Sequence, residues 1–282
     1  SLAGAAAFVF SLPIGIMVAV VMLVVVASYR QTVHAYPSGG GDYEVVTTNL
    51  GGRAGMVVAS ALLVDYVLTV AVSVSSGVQN AKAILPAIAG HEGLVAAMAI
   101  FVLMAINLRG TKESGTIFAI PTYAFMLGVI SMVLWGVAQI VVLGRTLVAE
   151  TSDMTLVSTS NYLDATGPMM AFLLARTFSS GCAALTGVEA ISNGVPNFRP
   201  PKSRNAATTL ALLGGLAVSM LLGIIALARV TGIQMVEAKG SYLVAPDGSI
   251  HHEAPTVMSQ LSRAVFYDSG RPMFYFMMVV TV

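Results

Sequence analysis

The chain has 282 residues and a formal net charge of +1; 56% of its residues are hydrophobic, only 10% are charged, and its mean hydropathy is +0.84. A water-soluble domain of this size carries about a quarter charged residues to solvate its surface, so a soluble globular protein is excluded and the charge offers no footprint for nucleic acid. A single cysteine, Cys182, excludes an internal disulfide framework and a cysteine-rich metal site.

The apolar residues fall in long blocks, and a helix needs ~20 of them to cross a bilayer. On that measure the chain is an all-α polytopic membrane protein, a single transmembrane domain over 1–282. Helices are expected at about 5–28, 54–80, 92–108, 114–143, 167–196 and 206–229, with a seventh begun near Pro272. Ser1 in place of Met, and an end at Val282 inside an apolar run of about half a span, are what a fragment of a longer transporter would show. The first block is no signal peptide, because it lacks a basic leader and is too long. It is apolar all round apart from Ser11 and the Pro13 and Gly15 pair, which suits a supporting helix.

The segments 28–53, 109–113 and 197–205 hold Arg30, Arg53, Arg109, Lys112, Arg199, Lys202 and Arg204. The longer alternate loops hold fewer basic residues and most acids, among them Glu92, Glu150, Asp153, Asp164, Glu237, Asp247, Glu253 and Asp268. Basic density places the first set in the cytoplasm and the N-terminal residue outside. The first cytoplasmic loop contains Pro37 with Gly39, Gly40 and Gly41, a backbone turn closed to β-branched residues. It reads as a gating hinge or as a flexible connection, with a short interfacial helix after it. Gly39-Gly40-Gly41-Asp42 also matches the GxGD of intramembrane aspartyl proteases, but Asp42 sits in a polar loop without a second acid at matched depth.

In the second span Asp65, Thr69, Val72, Ser73, Ser76 and Asn80 recur at three- and four-residue intervals and form one polar stripe. That stripe lines a solute path, or else its hydroxyls bond their own helix and Asp65 meets a structural Arg. Pro121 and Trp135 in the fourth span are explained by a kink and an interface anchor. Loop 144–166 shows no chemistry. Gly214, Gly215 and Gly223 in 206–229 are a device for close helix packing. The vicinal His251 and His252 beside Glu253 are read as solvated loop residues, and 255–267 as an amphipathic surface helix.

The fifth span differs from the others. It carries Arg176, Thr177, Ser179, Ser180, Gly181, Cys182, Thr186, Gly187, Glu189, Ser192 and Asn193 within one bilayer-crossing length. An ionisable group at mid-membrane depth costs roughly 2.5–3.5 kcal/mol on insertion scales, so it turns toward a bundle interior and marks a functional site. A helix interrupted at SSGCAALTG frees carbonyls and amides that hydrocarbon cannot satisfy, whereas a bound solute can. Glu189 could instead tie to Arg176, but thirteen helical residues separate them by roughly 20 Å. Thr186 and Glu189 share a face with Ser192 and Asn193, and a carboxylate there can hold a cation or a proton, each altering the affinity for the other.

YPSGGGDY followed by NLG, then VDYVLTVAVSVSSG, NLRGTKESG and FSSGCAALTGVEAISNGVPNFRPPKSRNA, together resemble the amino acid–polyamine–organocation (APC) superfamily, and within it the branch of bacterial potassium–proton symporters. The resemblance covers essentially the whole chain. It implies a five-plus-five inverted repeat (LeuT-like), of which this chain holds about helices 2 to 8, with 5–28 as helix two and 167–196 as broken helix six. It further implies Glu189, Thr186, Thr69 and Ser73 as cation ligands with Asp65 on the same stripe, and Gly39, Gly40, Gly41, Ser180, Gly181 and Gly187 as hinge positions. The broken first helix of such a site is not in the chain.

The expected function is a secondary active transporter of the cell (inner) membrane, importing potassium with protons; the alternative is an amino acid permease coupled to protons or sodium. The expected partners are the lipid bilayer, a transported monovalent cation or amino acid, and a proton, with a homodimer left open. No nucleic acid, cofactor or resident metal is expected. An enzyme lacks visible parts, since neither HExxH nor GxSxG occurs. A passive channel would show a flux independent of the proton gradient.

Overall fold

The computed structural model describes residues 5–82, 84–108, 110–158, 167–182, 186–236, 241–266 and 271–281. Its helices are α1 (Ala5–Ala35), α2 (Gly41–Leu50), α3 (Gly52–Lys82), α4 (Glu92–Asn107), α5 (Thr111–Val141), α6 (Pro168–Gly181), α7 (Thr186–Asn193), α8 (Lys202–Thr231), α9 (Val257–Phe266) and α10 (Arg271–Thr281). Among the described residues, α1 from Phe10, α3, α5 from Gly115, and α8 are long and apolar enough to cross a membrane. The span expected at 92–108 is a shorter helix of 16 residues. The span expected at 167–196 is two helices, α6 of 14 residues and α7 of 8. Residues 183–185, at the middle of the expected interruption, lie outside the described residues.

The helices outrun the apolar blocks that announced them. α1 continues through SYRQTVHA to Ala35, and α2 begins directly at Gly41, so the first loop, expected on the cytoplasmic side, shrinks to a short turn around Pro37. The helical backbone bonds itself, so polar residues can extend a span past the hydrocarbon at no cost in unsatisfied groups.

The chain divides into two compact units, with boundaries inside α1, α3 and α8. One unit comprises Val9–Val70 and Thr166–Leu222. Its core is a stripe of α1 (Met22, Val26, Val33) against Val188, Val195, Ala206, Ala207 and Leu210. Lipid tails are as apolar as these side chains, so close fit and small residues hold the helices together more than water exclusion does. Gly214 shows the fit: a Cβ there would lie 2.8 Å from Val26 Cγ2.

The other unit comprises Ser1–Phe8, Ala71–Ala165 and Gly223–Val282. The all-α expectation needs an addition here, a small antiparallel sheet of β1 (Thr155–Ser158), β2 (Ser241–Val244) and β3 (Ile250–His251), ordered β1-β2-β3. Thr155 faces Val244 and Ser158 faces Ser241 in the β1–β2 register. α9, expected as a surface helix, is largely buried at Ser259, Gln260, Leu261, Ser262, Val265 and Phe266. Its polar residues go inside because each finds a partner. Gln260 Oε1 accepts from the Thr151 hydroxyl at 2.6 Å, and its Nε2 donates to the carbonyls of Pro255 (2.9 Å) and Gln234 (3.2 Å). Gln139, from α5, donates to the Val265 carbonyl at 2.9 Å. At the end of α3, Lys82 pairs with Glu92 (3.0 Å) and Glu253 (3.3 Å), and Thr256 donates to Asn80 Oδ1 at 2.6 Å.

Close helix approach in this unit makes a stability prediction. A Cβ on Gly223 would lie 2.7 Å from Val133 Cγ1, and one on Gly136 would lie 2.9 Å from Leu227 Cδ2. Val133 is β-branched and has little rotamer freedom to yield. Gly223→Leu should therefore destabilise the detergent-solubilised protein by about 1–3 kcal/mol, read as a lowered Tm. Gly215→Ala, where nothing lies within 4 Å of the added carbon, should not lower it.

Candidate functional site

α7 reads TGVEAISN, and its spacing decides which side chain goes where. Val188 and Ile191, with Val195 beyond the helix end, face the core against α1 and α8. Glu189 and Asn193, at i and i+4, therefore share a neighbouring face. That face meets α3. Asn193 Nδ2 donates to Tyr66 Oη at 2.6 Å and to Glu189 Oε1 at 3.3 Å, and Tyr66 Oη lies 3.5 Å from the same carboxylate oxygen. A carboxylate only accepts hydrogen bonds, so two neutral donors suit its ionised form without neutralising it.

The turn before α2 approaches α7 from another direction. Gly39, Gly40 and Gly41 have φ of 82°, 96° and 48°, the left-handed region that glycine adopts without strain. Space is as restrictive as backbone angle. A Cβ on Gly39 would meet Pro196 Cδ at 2.6 Å, and one on Gly41 would meet Asn193 Oδ1 at 2.4 Å. Asn193 Oδ1 is buried and has no hydrogen-bond partner among the described residues. Asp42 and Glu44 in the first turn of α2 complement the positive end of the helix dipole. Asp42 Oδ2 also accepts from the Tyr29 hydroxyl of α1 at 2.8 Å.

The described contacts thus place two carboxylates among neutral partners: Asp42 of α2 bonds Tyr29, and Glu189 of α7 bonds Tyr66 and Asn193. A carboxylate with only neutral partners can take up a cation or a proton. Among the described residues no group of three His, Cys, Asp or Glu is placed to hold a resident metal ion.

The expected site residues fare differently. Glu189 and Asp65 fall in one unit with Thr69, which is half-buried on α3. Ser73 belongs to the other unit, where it borders an apolar groove of about 580 Å³ with Val74, Gly77, Val95, Met98 and Val102. The side chain of Thr186 lies outside the described residues, although its backbone starts α7. Of the hinge positions, Gly181 faces Val18, whose Cγ2 would be 2.8 Å from an added Cβ; Gly187 has open space, and Ser180 is exposed. Glu189 bonds Tyr66 and Asn193 rather than Arg176, which is exposed.

The sequence places Asn193 on the face of Glu189 without giving it a role, and offers no reason to add Tyr66 or Asp42. Tyr66 sits one position round from the Asp65 stripe, and Asp42, expected in a polar loop, opens a helix instead. The i, i+4 spacing of Glu189 and Asn193 was the available signal. Away from this site, His251 Nε2 lies 3.1 Å from Ser249 Oγ, and the His252 ring is 5.9 Å from that of Tyr242. The Ser249 hydroxyl and amide hold Asp247 below the usual carboxylate range.

The profile described as amino acid permease matches residues 1–282. Over 272 residues, 96% of its length, the chain is 39% identical to the potassium transporter KimA of Bacillus subtilis (strain 168). It spans 40% of that relative's length.

The Tyr29 to Asp42 bond gives a local prediction. Tyr29→Phe removes the hydroxyl that ties α2 to α1, a loss of about 1 kcal/mol for a partly exposed bond. Amide hydrogen exchange within 41–50 should rise about fivefold while exchange in α8 stays unchanged.

Proposed function

The chain belongs to the amino acid permease family and is a multi-pass protein of the cell membrane, and on that footing we propose that it works in a secondary active transporter that imports potassium together with protons. The observation that carries this reading is the Glu189 carboxylate, placed in the first turn of α7 and held by neutral donors rather than by a basic side chain. A carboxylate tied to an Arg or Lys would already be neutralised. One left to neutral partners is available to a mobile cation or a proton.

In this reading the ionised Glu189 carboxylate is a potassium ligand. A proton on the same carboxylate would compete with potassium, so the proton that travels with it rides on a separate group of the same carrier, and the two are loaded together. Thr69 and Asp65, in the same unit as Glu189, would supply further oxygens, and hydroxyl and carboxylate oxygens are the ligands a hard monovalent cation takes. Gly39, Gly40 and Gly41, with Ser180, Gly181 and Gly187, give backbone freedom around it. The potassium transporter named among the relatives supports this choice of solute. The protein moves solutes and makes or breaks no covalent bond.

The family description favours a second reading, uptake of an amino acid coupled to protons or sodium. In that case Glu189 would meet the substrate ammonium.

Uptake by the whole protein in proteoliposomes separates the two. Glu189→Gln should reduce potassium uptake roughly 30-fold or more, the cost of losing one partner of a desolvated charge pair. Collapsing an inward proton gradient should abolish accumulation. Unchanged potassium uptake by the variant, together with uptake of labelled amino acids, would establish the second reading instead.

A further inference from the structure

We infer that Asn193 is a positioning residue of the proposed cation site, which holds the Glu189 carboxylate in register with the glycine turn at Gly41. The inference rests on the transport reading above and adds a residue and a mechanical link to it.

The link is made by the two ends of one amide. On one side Nδ2 donates to Tyr66 Oη at 2.6 Å and to Glu189 Oε1 at 3.3 Å. Both N–H groups are thereby used, and the ionised carboxylate, a pure acceptor, fixes which end of the amide faces it. Oδ1 must then point the other way. There it is buried, without a partner among the described residues, 2.4 Å from where a Cβ on Gly41 would stand. The backbone carbonyl of the same residue lies 3.1 Å from a Cβ placed on Gly39. The turn is therefore shaped around Asn193, and any side chain at Gly41 would push the amide off Tyr66 and Glu189.

An unpartnered buried acceptor is normally selected against. Here it is the consequence of directing both donors at the site. Tyr66 benefits as well: with its oxygen accepting from Asn193, its O–H is left to face the carboxylate. A shift of α2 at Gly41 thus alters the placement of the carboxylate, and the carboxylate's occupancy bears on the turn.

The test measures potassium uptake by the whole protein in proteoliposomes as a function of potassium concentration, with folded protein quantified by size-exclusion chromatography. Asn193→Ala should raise the half-saturating concentration about tenfold, the scale of a lost hydrogen bond to a charged group, with the maximal rate nearly retained. Gly41→Ala should raise it similarly. The double variant should be little worse than Asn193→Ala alone, because the new methyl enters vacated space. Gly51→Ala carries the backbone strain alone, since Gly51 has φ of 90° with nothing within 4 Å, and should leave the half-saturating concentration unchanged.

An unchanged half-saturation in Asn193→Ala, or single effects that multiply in the double variant, overturns the inference. Should Asn193→Ala not fold, Tyr66→Phe removes the hydroxyl that the amide holds: raised half-saturation supports the inference and an unchanged value overturns it. Glu189→Gln separates the two levels. Wild-type uptake in that variant overturns the transport site and the inference with it, whereas loss of uptake there beside normal behaviour of Asn193→Ala overturns the inference alone.

Discussion

In hydrocarbon a polar group has only other protein groups to bond, and this scarcity of partners organises the chain. Backbone amides and carbonyls are satisfied by helices; the polar side chains must find one another. α7 puts Val188 and Ile191 against the core, and its Glu189 and Asn193 are left to face Tyr66. The same constraint explains α9, which turns Gln260 and Ser262 inward only because Thr151, Gln234, Pro255 and Met132 supply partners. Among the described residues two buried oxygens lack a partner, Thr47 Oγ1 and Asn193 Oδ1, and the second sits beside the site.

Much of the helical framework was legible in composition, because hydrocarbon thickness sets a length that an apolar block must reach. α3, α5 and α8 lie within a few residues of the blocks that announced them. Their ends were less legible: the polar run SYRQTVHA carries no hydropathy signal yet continues α1 by a further seven residues. The small sheet could not be read at all. β1 and β2 are four residues each and pair across more than eighty positions of sequence, so no local pattern records them.

The site was partly legible for a related reason. Glu189 stands out because a carboxylate in an apolar span needs an explanation, and Asp65 stands out with it. Tyr66 does not, since a tyrosine in such a span is unremarked until α7 brings Asn193 within 2.6 Å of its hydroxyl. Gly41 was noticed for its backbone freedom, and its φ of 48° agrees. That it must also lack a side chain, to leave room for an amide from another helix, is a tertiary fact.

The pairing of Thr155–Ser158 with Ser241–Val244 acts as the stem of a long loop. Everything between, including α6, α7 and α8, departs from and returns to one small hydrogen-bonded clasp. Closing a loop of that length costs chain entropy that grows only slowly with its size, so a short stem suffices to fix both feet. A single peptide-bond cut within 159–240 would leave each piece with one strand in the stem, so the segment that carries Glu189 would stay attached through one foot.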